Sequence, residues 1–252
     1  MKNKTQKTLN ILLPIISVAC IIAVWGIVAF FVNDEFLLPT VGETLTVFFG
    51  LFGYAEFYLA LVGTLLRTLI AFTLSFMLAF AFALISYKSQ LAYKIISPVI
   101  TIIRVLPTVA VVLLLLVWTN SNIAPVIVTM LVVLPTTYTS IYNALLSIDK
   151  KQLEMCKVFG VAEKTVVMKV KIPQILPSLV LIIGTTLSLN LKLMVAAEVL
   201  SFTANSIGHH LQLSQVYFNT ATMMALVLVT VILGLIIEIV ANLIHKKVGE
   251  WQ

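Results

Sequence analysis

The chain has 252 residues, of which 61% are hydrophobic and only 10% charged. A water-soluble domain carries charge on roughly a quarter of its residues, so a soluble globule is excluded and the long unbroken apolar runs point to a bilayer. A formal charge of +6 and a pI near 9.3 would suit nucleic acid, but the basic residues sit in short clusters between apolar runs, where Lys and Arg orient membrane helices.

The first residues, MKNKTQKT, are basic, and Leu9 to Val32 carries no charge. A cleaved signal peptide starts the same way, but its apolar stretch is only about 7–15 residues. The length therefore predicts an uncleaved spanning helix over 9–32, with Pro14 near its start, where a helix tolerates proline. Five more runs follow at 68–87, 93–118, 123–148, 175–200 and 221–244, each close to the ~20 residues that cross a bilayer. The expected fold class is an all-α membrane protein of six transmembrane helices, one domain over residues 1–252. No soluble domain, low-complexity tract or internal repeat is visible.

Alternating the spans from an inside N-terminus places Lys2, Lys4, Lys7, Lys88, Lys94, Lys150, Lys151, Lys157, Lys164, Lys169, Lys171, Lys246 and Lys247 inside. The outside segments 33–57, 119–122 and 201–220 contain no Lys or Arg, which predicts both termini in the cytoplasm. Arg67 falls at the outer end of the second run, where a long side chain can snorkel. Phe57, Tyr58, Trp118, Tyr217 and Phe218 mark the outer interface. Cys20 and Cys156 lack metal-ligand spacing and read as free thiols. The tandem His209-His210 has no acidic cluster beside it, so no metal is expected.

Charges inside a membrane are costly and raise the question of function. Arg104, beside Pro107, could contact an anion or gate a pathway, or could bond carbonyls freed by the proline kink. Lys192 could face a pathway or snorkel outward. Glu198 suits an anchor for the outer loop, and Glu238 suits a hydrogen bond within the bundle. Asn190, Asn120 and Asn122 are weaker candidates for pathway lining.

The longest inside segment, 149–173, reads as a helix–turn–helix. Asp149 caps the first helix with Gln152 reaching back, and Leu153, Cys156 and Phe159 share a face. Gly160 supplies the turn, and a second short helix starts near Glu163. Pro173 ends that helix and opens the fifth span. The residues alone leave two readings open: a loop resting on anionic lipid, or a docking element for a soluble partner.

The segment resembles the loop of permeases of binding-protein-dependent ABC importers, E-A-A, three residues, G, nine residues, I-x-L-P. Here it reads Glu154-Met155-Cys156, three residues, Gly160, nine residues, then Val170-Lys171-Ile172-Pro173, with Met155 and Cys156 departing from the two alanines. Phe36-Leu37-Leu38-Pro39-Thr40, Thr64-Leu65-Leu66-Arg67, Arg104-Val105-Leu106-Pro107-Thr108 with Trp118, Ala197-Glu198 and Ser206-Ile207-Gly208 are similar to stretches of the nitrate/sulfonate/taurine-type permeases. This resemblance runs from about residue 25 to 247.

The resemblance implies a six-helix type I importer permease in the bacterial cytoplasmic (inner) membrane. It implies a second permease chain, usually an identical copy, and an extracellular binding protein delivering substrate to 33–57 and 201–220. It implies a separate ATPase subunit that receives the loop, with Glu154, Met155, Cys156, Phe159, Gly160, Val161, Val170, Ile172 and Pro173 at the docking surface. ATP and Mg would bind that ATPase and no cofactor this chain, which has no G-x-x-x-x-G-K-[S/T] loop and reads as a transport subunit, not an enzyme. The pathway candidates are Arg104, Pro107, Asn190, Lys192 and Glu198. The implied substrates are small anions such as sulfonates, taurine or nitrate, or heterocyclic vitamin precursors such as pyrimidines or riboflavin. An ion-driven transporter would show paired mid-membrane carboxylates and inverted repeats, and neither is visible. A scaffold without transport would leave Arg104 and Lys192 unexplained.

Overall fold

The computed structural model describes residues 2–34 and 36–249, and every regular element among them is helical. The side chains of Lys2, Lys4, Lys7 and Lys150, four of the expected orienting charges, lie outside the described residues. In chain order the elements are α1 (Lys2–Val32), α2 (Val41–Leu51), α3 (Ala55–Lys88), α4 (Gln90–Val105), α5 (Thr108–Trp118), α6 (Ala124–Leu146), α7 (Lys150–Val158) and α8 (Glu163–Val166). A π-helical turn (Val167–Lys171), α9 (Ile172–Ser201), α10 (Ile207–Val216) and α11 (Thr220–Gly249) complete the chain. Contacts divide it into two compact units, 1–58 with 210–229 and 59–209 with 230–252.

Four helices are long and apolar enough to cross a membrane, at Ala55–Lys88, Ala124–Leu146, Glu163–Ser201 and Thr220–Lys247. The pair α4 and α5 makes a fifth if taken as one broken span, and the described apolar part of α1 is the shorter stretch Ile16–Val32. Two expected spans are corrected. The run at 68–87 is the latter part of a 34-residue helix, so Arg67 lies well inside α3. The run at 93–118 bends by 92° between Val105 and Thr108. Pro107 has no N–H to give, and residues before proline are pushed to extended backbone: Leu106 has ψ 129°.

In the first unit, the segment expected as an outer loop contains α2. Thr40 and Glu43 form its complete capping box. The Trp25 indole N–H of α1 donates to the Pro39 carbonyl at 3.2 Å, fixing how the chain leaves α1. Phe48, Phe52, Phe57 and Tyr58 follow edge-to-face, the geometry the ring quadrupole favours.

In the second unit α6 is the most enclosed helix, packed along α9 and flanked by α4 and α5. Its Leu134, Tyr138, Ile141 and Leu145 form a core with Ala79, Ala83, Ile100, Ile148 and Ile175. The Tyr138 hydroxyl lies 3.0 Å from Ser86 Oγ, so the buried phenol has a partner.

Helix α3 contributes a stripe of small residues. Ala60, Thr64, Thr68, Ala71, Ser75, Ala79, Ala83 and Ser86 recur at helical spacing and are all buried. Lipid tails are as apolar as Leu, so apolar burial alone does not drive helices together in a bilayer. Small side chains that let backbones approach do. The same holds between α9 and α11, where a Cβ added at Gly184 would overlap Ala241 Cβ.

Replacing Gly184 by Leu therefore overpacks the α9–α11 contact. The expected loss is about 1–3 kcal/mol, read as a lowered unfolding midpoint of the detergent-solubilised chain. An unchanged midpoint would contradict the close approach.

Candidate functional site

Two places gather the residues singled out in the sequence: the segment 149–173 and the polar cluster around Glu198.

In the segment, Asp149 caps α7 by accepting from Lys151 N–H at 2.9 Å. The expected reciprocal bond from Gln152 is absent. Gln174 of α9 takes that place, accepting from Asp149 N–H at 3.2 Å while its amide donates to Gln152. The start of α7 is thus tied to the start of α9 by a pair of glutamines. Gly160 has φ +64°, the left-handed region that an L side chain enters only with strain, and the Val161 N–H returns to the Cys156 carbonyl at 3.0 Å.

Beyond the turn, no helix ends at Pro173, which corrects a second expectation. The helix runs through α8, the π-helical turn and α9 as one 39-residue span. In an α-helix the proline ring clashes with the carbonyl four residues back. The widened turn directly before Pro173, where Ile172 N–H reaches back to the Val167 carbonyl, accommodates the ring.

The expected apolar face also differs. Leu153 turns inward against the α6 core, and Cys156 is half-buried. The exposed apolar residues include Met155 (56%), Val158 (83%), Phe159 (77%) and Met168, with Val161 and Ile172 also exposed and Val170 half-buried. Glu154 is exposed on α7. Lys157, Val161, Glu163 and Lys171 rim a cleft beside the turn, with Leu153 and Val166 in its wall. A rigid, glycine-turned hairpin thus presents apolar side chains to its surroundings.

At the other cluster, Glu198 of α9 is completely buried. Its carboxylate accepts from Thr64 Oγ1 at 2.8 Å, Arg67 Nη1 at 3.1 Å and Gly208 N–H at 3.4 Å. The guanidinium also donates to the Ala204 carbonyl at 3.1 Å, the Asn205 carbonyl at 3.4 Å and Asn122 Oδ1 at 3.5 Å. Arg67 therefore does not snorkel. It joins α3, α9 and the turn between α9 and α10. The turn is itself strained: Phe202, closing α9, has φ 53°, an outlier for a bulky residue, and swings the chain back over Arg67. A Cβ at Gly208 would overlap that of Glu198, so α10 begins at backbone distance from α9. Thr64 Oγ1 also accepts from Ile207 N–H at 2.9 Å, closing the network.

The remaining candidates are placed as follows. Asn190 is buried and donates to the Thr68 carbonyl at 2.9 Å. Like Glu198, it presents no surface to a passing solute in this conformation. Asn120 Oδ1 accepts from the N–H groups of Asn122 and Ile123, holding the turn before α6. Arg104, exposed at the end of α4, donates to Thr139 Oγ1 and, at 3.4 Å, to the Pro135 carbonyl of α6. Those acceptors belong to the neighbouring helix, not to a carbonyl freed by Pro107. Lys192 is exposed on α9. Among the described residues the one ion pair is Arg67–Glu198. Sequence reading missed Arg67 as a partner of Glu198, and the small-residue stripe carrying Thr64 was the available signal.

These features define a helical membrane protein with a broken span and a glycine-turned apolar hairpin between its fourth and fifth runs. A family model described as "Binding-protein-dependent transport system inner membrane component" matches residues 71–250, and the chain belongs to that family, the permease subunits of ABC importers. It is a multi-pass transport subunit and not an enzyme. Among curated relatives it is 23% identical, over 75% of this chain and 76% of the relative, to a probable ABC transporter permease protein of Brucella abortus (strain 2308). It is 22% identical, over 96% of this chain and 87% of the relative, to a putative aliphatic sulfonates transport permease protein, SsuC, of Bacillus subtilis (strain 168). Among solved structures, the MetNI methionine ABC transporter in inward-facing conformations aligns with a TM-score of 0.65 at 20% identity, covering 75% of this chain and 94% of that one. An amino acid ABC transporter aligns at 0.64 and 18% identity, with the same coverage. The fold is that of a type I importer permease.

Removing one partner of a buried ion pair leaves the other uncompensated, at a cost of about 3–5 kcal/mol. Glu198→Ala and Arg67→Met should each lower the unfolding midpoint steeply, and the double variant should fall well short of their sum. Strictly additive losses would show that the two charges do not stabilise one another.

Proposed function

We propose that the whole chain forms one permease domain of an importer for small organic or inorganic anions, with sulfonates the leading class. The observation that carries the reading is the hairpin 149–173: a positive-φ glycine, an exposed Met155–Val158–Phe159 patch, and a helix running unbroken from the hairpin to Glu198. A patch of this kind on a rigid turn suits a groove on a soluble ATPase better than lipid, because a lipid-resting loop needs no fixed geometry. In this reading Glu154, Met155, Cys156, Phe159, Gly160 and Val161 dock, and Val170, Ile172 and Pro173 link the dock to α9. A second permease chain, identical or related, completes the pathway. A binding protein delivers substrate to 33–57 and 201–220, and ATP and Mg act on the ATPase. Both termini then face the cytoplasm of a bacterium, across its inner membrane.

The preference for anions rests on Arg104. It is exposed at the break between α4 and α5, and among the described residues no carboxylate lies within ion-pair distance of it. The sulfonate permease among the relatives supports the same class.

Two experiments test this. Purification from native membranes in mild detergent should bring down an ATPase, and Gly160→Val or Phe159→Glu should lose it while the chain still inserts. Retention of the ATPase by both variants would remove the hairpin from the dock. In cells, Arg104→Gln should reduce uptake of a radiolabelled alkanesulfonate about tenfold, one hydrogen-bonded charge. Uptake unaffected by the change would place the anion contact elsewhere.

A further inference from the structure

Two ions in the spanning helices are unaccounted for. Among the described residues, Lys192 of α9 and Glu238 of α11 have no side-chain hydrogen bond or ion pair. Lys192 is nine residues from the end of α9 at Ser201, about 13 Å along the axis at 1.5 Å per residue. Glu238 is eight residues before Lys246, about 12 Å. Neither is beside a helix end, and a lone charge at such depth is costly.

The packing of α9 on α11 fixes how they face. Gly184 abuts Ala241, and Gly234 abuts both Ser188 and Lys192. A Cβ on Gly234 would lie 3.3 Å from Ser188 Oγ and 3.9 Å from Lys192 Cε. The two helices are therefore antiparallel, and Gly234, Glu238 and Ala241 share the α11 face turned to α9. Side chains on a helix lean toward its N-terminus. Lys192 leans along α9 toward Ser188, away from the nearer end, which opposes snorkelling. Its Cε already lies across Gly234. Glu238 lies one turn beyond Gly234 on the same α11 face, and a helical side chain tends back toward the preceding turn, here that glycine. The missing side chain at Gly234 leaves a gap beside Lys192 Cε, within one helical turn of Glu238.

We propose that Lys192 and Glu238 are each other's counter-ion, a neutral pair across α9 and α11 that closes over Gly234. The pair cancels two intramembrane charges at once. Ser188, buried with its hydroxyl unpartnered, lies next to the gap and gives the ammonium a second acceptor.

The test is a charge cycle on the full chain, purified with its native partners, with the unfolding midpoint as readout. Because no transport is measured, its outcome is independent of the substrate and docking assignments. Lys192→Met and Glu238→Gln should each lower the midpoint by about 5 °C, and the double variant by less than either. The exchange Lys192→Glu with Glu238→Lys should restore assembly that each single reversal impairs. If the reversals fail to insert, the neutral variants still decide. Additive losses in the double variant, or single variants without effect, would overturn the pair. Substitution of Gly234 by Val should mimic the single losses, and an unaltered midpoint there would also count against it.

Discussion

A carboxylate taken wholly out of solvent must find donors or it will not stay ionised and folded. Glu198 of α9 finds three donors on two other elements: Thr64 and Arg67 from α3, and the backbone of Gly208 at the start of α10. No one of these could shift without uncovering a charge, so the positions of α3, α9 and the turn between α9 and α10 are set together. The rest follows from that demand. Gly208 must lack a side chain because its backbone approaches so closely to donate that a Cβ would overlap that of Glu198. Phe202 accepts a strained conformation because the turn must carry the Ala204 and Asn205 carbonyls to the guanidinium. Asn122 brings in the turn before α6 through the same arginine.

Around this cluster the packing obeys the rules of a lipid solvent. The buried face of α3 is mostly Ala, Ser and Thr, and the α9–α11 contact passes through Gly184 and Gly234. Water would have rewarded Leu and Ile at those positions, but between helices in a bilayer the reward lies in close backbone approach. The larger side chains gather where α6 is enclosed, and there the buried Tyr138 hydroxyl has Ser86 as its partner. The two principles divide the second unit between a small-residue seam and an aromatic, aliphatic core.

Much of this was legible in the chain itself. The apolar runs pointed to an all-helical membrane protein, the glycine at 160 marked a real turn, and the loop pattern pointed to the family. What was lost shares a cause: interactions far apart in sequence leave no local trace. Arg67 looked like a snorkelling residue because its partner is 131 positions away. Gln152 looked like a capping residue because Gln174 was not yet beside it. Ala and Thr on α3 count as mildly apolar in a hydropathy reading, so the stripe vanished into the run. Pro107 and Pro173 look alike as helix breakers, yet one bends the chain by 92° and the other sits in a continuous helix. The difference is the π-helical turn preceding Pro173, and nothing in the run VMKVK announces it.

That turn has a geometric consequence. A π-bulge behaves as one residue inserted into an α-helix, and one residue is about 100° of rotation at 3.6 residues per turn. It therefore sets the angular phase between the hairpin at Gly160 and every residue beyond Pro173. Were the turn to relax to regular α geometry, α9 would keep its length and its apolar character. Its faces would nonetheless swing by more than a quarter-turn, carrying Glu198 off Arg67 and Lys192 off Gly234. The short stretch before the proline thus works as the key that clocks one end of a long shaft to the other.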